Sequence, residues 1–232
     1  MTVRIAALVC AILSFDATAQ APATPPPPVP PDVSPLYVVT YIELRPNASD
    51  EGAALVKAYR DANRSAAGNM RAVTVKRMRP GQFVLVSAWQ NKAAWDAAAE
   101  KTKAQREKLN AIRNAPADDR FHNALTVGPM DLPAAKGAVY GVSHVDVIPP
   151  QKDNAIVALK MLGEANRAAA GSMRYDVVQQ TNRPNHFTVV EIWRSRNDYE
   201  ANSMSAHQRE FRDKLAQMQG ALYDERLYEI LE

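Results

Sequence analysis

The sequence predicts an α+β protein in which one βαββαβ unit is written twice. Three observations carry this. Ala62, Asn63, Arg64, Ala66, Ala67, Gly68, Met70 and Arg71 recur without a gap as Ala165, Asn166, Arg167, Ala169, Ala170, Gly171, Met173 and Arg174. Phe83 to Trp89 pairs with Phe187 to Trp193, and Asp118, Asp119 and Arg120 pair with Asp224, Glu225 and Arg226. The apolar stretch 37–44 returns at 140–147, and a proline follows each, Pro46 and Pro149. Self-similarity at a fixed period is the mark of a repeated structural unit.

The second copy shows the elements in order. Val142, Val145 and Val147 lie in a short strand with loose alternation. Pro149 and Pro150 stop it. Asn154 to Ala170 reads as a helix, with Ile156, Leu159, Met161, Leu162 and Ala165 near one stripe. Gly171 is its C-cap candidate. Met173 to Gln180 is a second strand, Asn182 to Asn185 a turn, and Phe187 to Trp193 a third strand rich in β-branched and aromatic residues. Asp198 is expected to cap a second helix, carrying Met204, His207, Phe211, Leu215 and Met218. Leu227 to Leu231 closes the unit as a strand. This order is the split βαβ arrangement of ferredoxin-like folds. It leaves one sheet face bare, and the other copy can cover that face by packing against it.

Four segments follow. Residues 1–19 read as a secretory signal peptide, with Arg4 before an apolar run from Ile5 to Phe15 and a small-residue cleavage site at Ala17 and Ala19. The run is shorter than the roughly 20 residues that span a bilayer, so no stable membrane insertion is expected after its removal. Cys10, the only cysteine, lies within it, so the mature chain offers no thiolate chemistry. Residues 20–35, with Pro25 to Pro28, Pro30 and Pro31, form a tether that cannot bury a core. The repeats occupy 36–130 and 138–232. A periplasmic or secreted location is expected, as a monomer with pseudo-dimeric halves or a homodimer.

Composition excludes several classes. A net charge of +3, with the lysines of 101–108 interleaved by Glu107 and preceded by Glu100, gives no nucleic-acid surface. Glycine-rich nucleotide loops, a Gly-x-Ser-x-Gly elbow and metal-ligand spacings are absent from the sequence. No cofactor and no metal are therefore expected.

The segment Phe187 to Trp193, then Tyr199, Asn202 and His207, then Tyr223 to Tyr228, resembles the antibiotic biosynthesis monooxygenase family. Members are dimeric α/β-barrel proteins, and two tandem copies would form such a barrel within one chain. The resemblance implies a cofactor-independent monooxygenase acting on a quinol-like or polycyclic aromatic substrate in the barrel cavity. It places Asn202 and His207 at two polar helix positions, often a pair of histidines five residues apart. Ala98 replaces the first in copy one. Related haem-degrading proteins have a tryptophan near the Asn202 position, so haem cleavage is disfavoured. The rival readings are an exported binding protein for a small aromatic or apolar ligand, and haem binding through His207 or His144.

The candidate residues have bland readings too. His207, at helical spacing with Met204 and Phe211, is either a base for a phenolic proton or a core histidine. Tyr41 and His144 hold matching positions on the first strands. They point into the barrel if Val38, Ile42, Val145 and Val147 face the helices. Trp193 and Trp89 are substrate walls or core, and Glu191 is a partner for Arg174 or a histidine, or a strand-edge charge. Arg174 is an anion clamp, or it pairs with the acidic group at Asp224 and Glu225.

Overall fold

In the computed structural model the described residues are 35–77, 79–130 and 137–231. The expected signal peptide, 1–19, and all but the last residue of the expected tether, 20–35, lie outside them. The first copy runs β1 (Leu36–Glu43), α1 (Ser49–Arg64), β2 (Asn69–Arg77), β3 (Gln82–Trp89), α2 (Lys92–Ala111) and β4 (Asp118–Thr126). The second runs β5 (Val139–Asp146), α3 (Lys152–Ala168), β6 (Ser172–Gln180), β7 (His186–Trp193), α4 (Arg196–Ser203), α5 (Ala206–Ala216) and β8 (Asp224–Ile230). Both copies are βαββαβ units, as the repeat predicts.

Each sheet has the strand order of a ferredoxin-like unit, and the two do more than lie face to face. Their edges are hydrogen-bonded into a closed eight-stranded antiparallel barrel, ordered β1-β3-β2-β8-β5-β7-β6-β4. One seam pairs β2 with β8, for example Val75 with Ile230, and the other pairs β4 with β6, for example His122 with Gln180. Closure removes the open strand edges that each copy would present alone.

Closure also buries both faces of the strands. One face, with Val39, Val84 and Val86 from the first copy and Val142, Val190 and Ile192 from the second, fills the barrel. The other faces the helices. In the second copy Val145, Tyr175, Val177, Phe187, Val189 and Trp193 pack there against Leu159 and Leu162 of α3 and Phe211 and Leu215 of α5. Val38 and Ile42 hold the matching positions in the first copy.

The repeated Asn-Arg and Gly-x-Met motifs have a local cause. Asn63 and Asn166 are buried on the inner face of α1 and α3. Arg64 donates to the Ala72 carbonyl at 2.7 Å, and Arg167 to the Tyr175 carbonyl at 3.0 Å, tying each helix to the following strand. These arginines therefore brace the turn rather than merely facing water. Gly68 and Gly171 take φ of 79° and 78° there, a left-handed backbone that disfavours a β-carbon.

One end of the barrel is stoppered. Val127 and Met130, after β4, pack on Tyr37, Ala88 and Val178. The Gly128 amide donates to Asp176 Oδ1 at 2.8 Å. The opposite end is open.

Candidate functional site

The structure sends the residues singled out in the sequence to three different places. Glu191, Trp193, Asn202 and His207 lie in the layer between the second sheet and its helices. Trp89 lies in the corresponding layer of the first copy, packed edge-on against Trp95. None of these five faces the barrel interior, so a substrate held in the barrel cavity would not meet them. Tyr41 and His144 line the open end of the barrel. Arg174 sits at the stoppered end, buried, where it pairs with Asp176 and donates to the Pro129 carbonyl at 2.5 Å. It pairs with neither Glu191 nor the Asp224 and Glu225 group, because strand alternation turns Arg174 and Asp176 to the barrel side and Tyr175 to the helices.

The helix-side layer of the second copy is polar where a core should be apolar. Glu191, 3% exposed, stands opposite Gly141 on the neighbouring strand. A β-carbon at Gly141 would come within 2.6 Å of the Glu191 carboxyl, so glycine is what makes room for it. Trp193 Nε1 donates to Glu191 Oε2 at 2.8 Å. Burial, with a smaller contribution from the Glu225 charge, pushes the Glu191 carboxyl up to about 7. Tyr175, Tyr199 and Tyr223 surround the same space. All three hydroxyls are held neutral, their pKa raised chiefly by burial. Tyr199 donates to Glu225 Oε1 at 2.7 Å, and Arg212 reaches the other Glu225 oxygen at 3.4 Å. These three half-exposed groups form the lip of the layer.

The helix expected to run on from Asp198 is broken. Its first part is capped by Ser195, whose hydroxyl accepts from the Asp198 amide, and α5 is capped by Ser205, accepting from the Gln208 amide. The span from Trp193 to Asp224 is two residues longer than that from Trp89 to Asp118, where α2 runs unbroken. The break has a chemical result. On a continuous helix, residues five apart point about 140° away from each other. Here His207 Nε2 lies 3.1 Å from Asn202 Oδ1 and 3.1 Å from Asn166 Oδ1. Asn202 donates to Asn166 Oδ1 at 2.7 Å, and Gln208 reaches the same oxygen at 3.3 Å. With carbonyl oxygens around it, Nε2 carries the proton. His207 therefore pins α3, α4 and α5 together on the α3–α5 groove, with Met161 and Phe211 beside it. Met204, placed by periodicity on the apolar stripe, is instead 72% exposed at the break.

Tyr175 and Gln208 were not named from the sequence, and Tyr199, Tyr223, Glu225 and Asn166 were named only as repeat or family positions or, for Glu225, as a partner for Arg174. A signal existed: copy one carries Ala72, Trp95, Ala117, Asp119, Asn63 and Thr102 at the matching positions, and Val38 with Ser87 where copy two has Gly141 with Glu191. A position-by-position comparison of the copies marks five of the six as changed.

At the open end, Tyr41, Arg120, His144 and Arg226 ring a cavity of about 320 Å³ that both copies line. Arg120 stacks on the Tyr41 ring at 4.5 Å. Burial pushes the Tyr41 hydroxyl up to about 12. Among the described residues, no group of three or more His, Cys, Asp or Glu is placed to hold a metal ion, and no helix is long and apolar enough to cross a membrane.

Known proteins with this architecture include the "putative monooxygenase" of Fusobacterium nucleatum subsp. nucleatum. It superposes with a TM-score of 0.78 at 11% identity over 87% of this chain and 94% of that one. A Lactobacillus acidophilus protein of the same description gives 0.71 at 13% identity, over 86% and 95% of the two chains. A protein described as anthrone oxidase-like gives 0.69 at 11% identity, over 87% and 93%. These identities speak to the fold alone. No curated protein matches the sequence. The family model for antibiotic biosynthesis monooxygenases matches twice, at residues 35–106 and 139–214. Both halves carry that domain, and the chain belongs to the antibiotic biosynthesis monooxygenase family.

Proposed function

We propose that this protein is a monooxygenase that needs no cofactor, acts on an electron-rich hydroxyaromatic of the quinol or anthrone kind, and works from the second copy alone. The observation that supports this most is the buried Glu191 carboxyl. Its counterpart, Ser87, gives Trp89 Nε1 an acceptor at 3.0 Å without burying a charge. The fold does not need a carboxylate there, and ionisable groups kept in dry surroundings concentrate at functional sites.

In this reading Glu191 is the base, poised near neutral pH, where general bases work best. A substrate enters past the lip of Tyr199, Glu225 and Arg212. Glu191 takes the phenolic proton. The electron-rich anion transfers an electron to O₂, and recombination forms a C–O bond to a ring hydroperoxide. Loss of water leaves a carbonyl, so one oxygen atom ends in the quinone and the other in water. The substrate supplies all the electrons. Tyr175 and Tyr223, neutral and buried, are donors for the developing oxyanion. Asn202 and His207 hold the helices that close the layer, and Trp193 fixes one carboxyl oxygen. On the strength of the leader, the reaction is placed outside the cytoplasm.

The test is oxygen uptake by the mature protein with a panel of hydroquinones and anthrones. Uptake above autoxidation should fall about a hundredfold or more in Glu191→Gln. His207→Ala should cost less, because it acts through helix position. A Glu191→Gln protein as active as wild type would sink the assignment of the base. Uptake no faster than buffer across the panel would sink the activity.

A further inference from the structure

The outer surfaces of the two copies differ in a way that the reaction around Glu191 does not use. On α3, Val157, Met161, Glu164 and Ala168 share one stripe, within about 60° around the helix axis. Val157 is 59% exposed and Met161 53%. They border the α3–α5 groove, whose floor is apolar, with Ala158, Leu162, Phe211 and Met218. On α1 the same two places, also exposed, hold Ala54 and Ala58. The first copy thus shows that the fold needs no more than a methyl group there. Large apolar side chains beside an apolar groove mark an interaction surface.

The charges on the stripe differ as well. On α1, Asp61 pairs with Arg60 at 2.8 Å and with Arg64 at 3.8 Å. On α3, Glu164 holds the place of Asp61, but Gly163 replaces Arg60, and Arg167 is turned inward to the Tyr175 carbonyl and the Thr126 hydroxyl. Lys152 pairs with Asp153, and Lys214 with Glu210. Lys160 and Glu164 have no ion pair among the described residues. They stand one turn apart on the same side of Met161, in the order, lysine before glutamate, that pairs poorly within one helix. Around the groove, Lys152, Lys160 and Lys214 are balanced by Asp153, Glu164 and Glu210, so the face has no pull on anionic lipid or nucleic acid.

We propose that the outer stripe of α3 is the contact through which two chains of this protein associate, laid antiparallel on each other about a two-fold axis near Leu162. A two-fold contact repeats every interaction. Here it sets Met161 beside Met161 of the second chain, Val157 against Ala168, and Lys160 opposite Glu164, twice over. Each chain thereby supplies the partner for the other's unpaired charges. The alanine stripe of α1 offers no such contact, so the chains form a pair and not a string. With 17 residues, α3 is about 25 Å long, which puts the contact at the low end of interface sizes, so the pair should come apart on dilution. The contact does not depend on the reaction proposed for Glu191.

The test is sedimentation equilibrium of the full mature chain across a dilution series. Wild type should fit a monomer–dimer equilibrium. Val157→Ala combined with Met161→Ala, which gives α3 the stripe of α1, should weaken association about tenfold or more. Lys160→Glu and Glu164→Lys should each weaken it about tenfold or more, because like charges then meet at both ends of the contact. Mixed one to one, these two charge variants should associate with each other about tenfold or more tightly than either does with itself, a result that damage to folding cannot produce. A wild type that stays monomeric at every concentration would overturn the proposal and leave the face to a different protein or to a membrane. Association unchanged in the alanine pair, or charge variants that associate no better mixed than alone, would overturn it as well.

Discussion

The two copies solve the same packing problem with opposite choices at one pair of strand positions. In the first, Val38 faces Ser87, a large apolar residue beside a small polar one. In the second, Gly141 faces Glu191, no side chain beside a large charged one. In each case a tryptophan two residues on donates its indole N–H to the polar member. The volumes balance in both halves, yet only the second half buries a carboxyl. The second half also breaks its outer helix and gathers three tyrosines. The difference teaches that the fold is satisfied by either pairing, so the buried carboxyl of the second half is not demanded by packing.

The largest effect should come from breaking the balance of sizes. Gly141→Val drives a side chain into the Glu191 carboxyl and should cost about 3 kcal/mol or more in urea unfolding. Adding Glu191→Ser rebuilds the arrangement of the first copy and should restore stability to wild type or above, without restoring oxygen uptake. A double variant no more stable than Gly141→Val would show that the two copies are not interchangeable there.

Next is the pH dependence of Glu191. Its folded pKa, about 7, lies above the ordinary carboxylate value, so the folded state holds its proton more tightly. That favours folding below the unfolded value near 4.5 and is lost as pH rises to about 7, a swing of up to about 3 kcal/mol. Glu191→Gln should remove this decline, so its stability gain over wild type should grow between pH 5 and 8. Parallel stability curves for the two proteins would contradict it.

The buried His122 should act in the opposite direction. Burial lowers it to about 4, so the unfolded chain binds its proton first. Stability is then full above about 6.5 and falls as pH drops toward 4, by up to about 3 kcal/mol. His122→Asn should flatten that acid limb in pH-dependent unfolding. Smallest is the Ser87 bond in the quiet half. Ser87→Ala leaves the Trp89 indole N–H without its acceptor and should cost about 1 kcal/mol, with oxygen uptake unchanged.

The order of strands and helices was legible because the repeat doubles every local signal: a Gly-x-Met turn or a Phe-to-Trp strand seen twice is hard to misread. What alternation could not tell was which face each residue takes. A closed barrel buries both faces, so β3 and β7 are buried at every position after the first. Without a wet face there is no contrast to read. Tyr41 and His144 were placed on the barrel side because alternation sets them opposite to Val38 and Val145, which pack against the helices. Glu191 and Trp193 share a face of β7 with Phe187 and Val189 by alternation, and that whole face turns to the helices. The helix break was hidden because Met204, His207, Phe211 and Leu215 keep a helical spacing across it. Only the two extra residues in the second copy, with Ser195 and Ser205 available as caps, betray it.

Closure through the seam between β2 and β8 has a consequence for how the chain is made. Val75 meets Ile230, so the β2 edge of the first copy has no partner until β8 has been made. Until then β2 presents an open backbone edge, and until β6 is made β4 does too, the surfaces through which nascent chains associate wrongly. A fragment ending near residue 130 would meet a second copy of itself on those same edges. Tandem fusion makes the correct partner local, and it leaves a long interval during synthesis in which that partner does not yet exist.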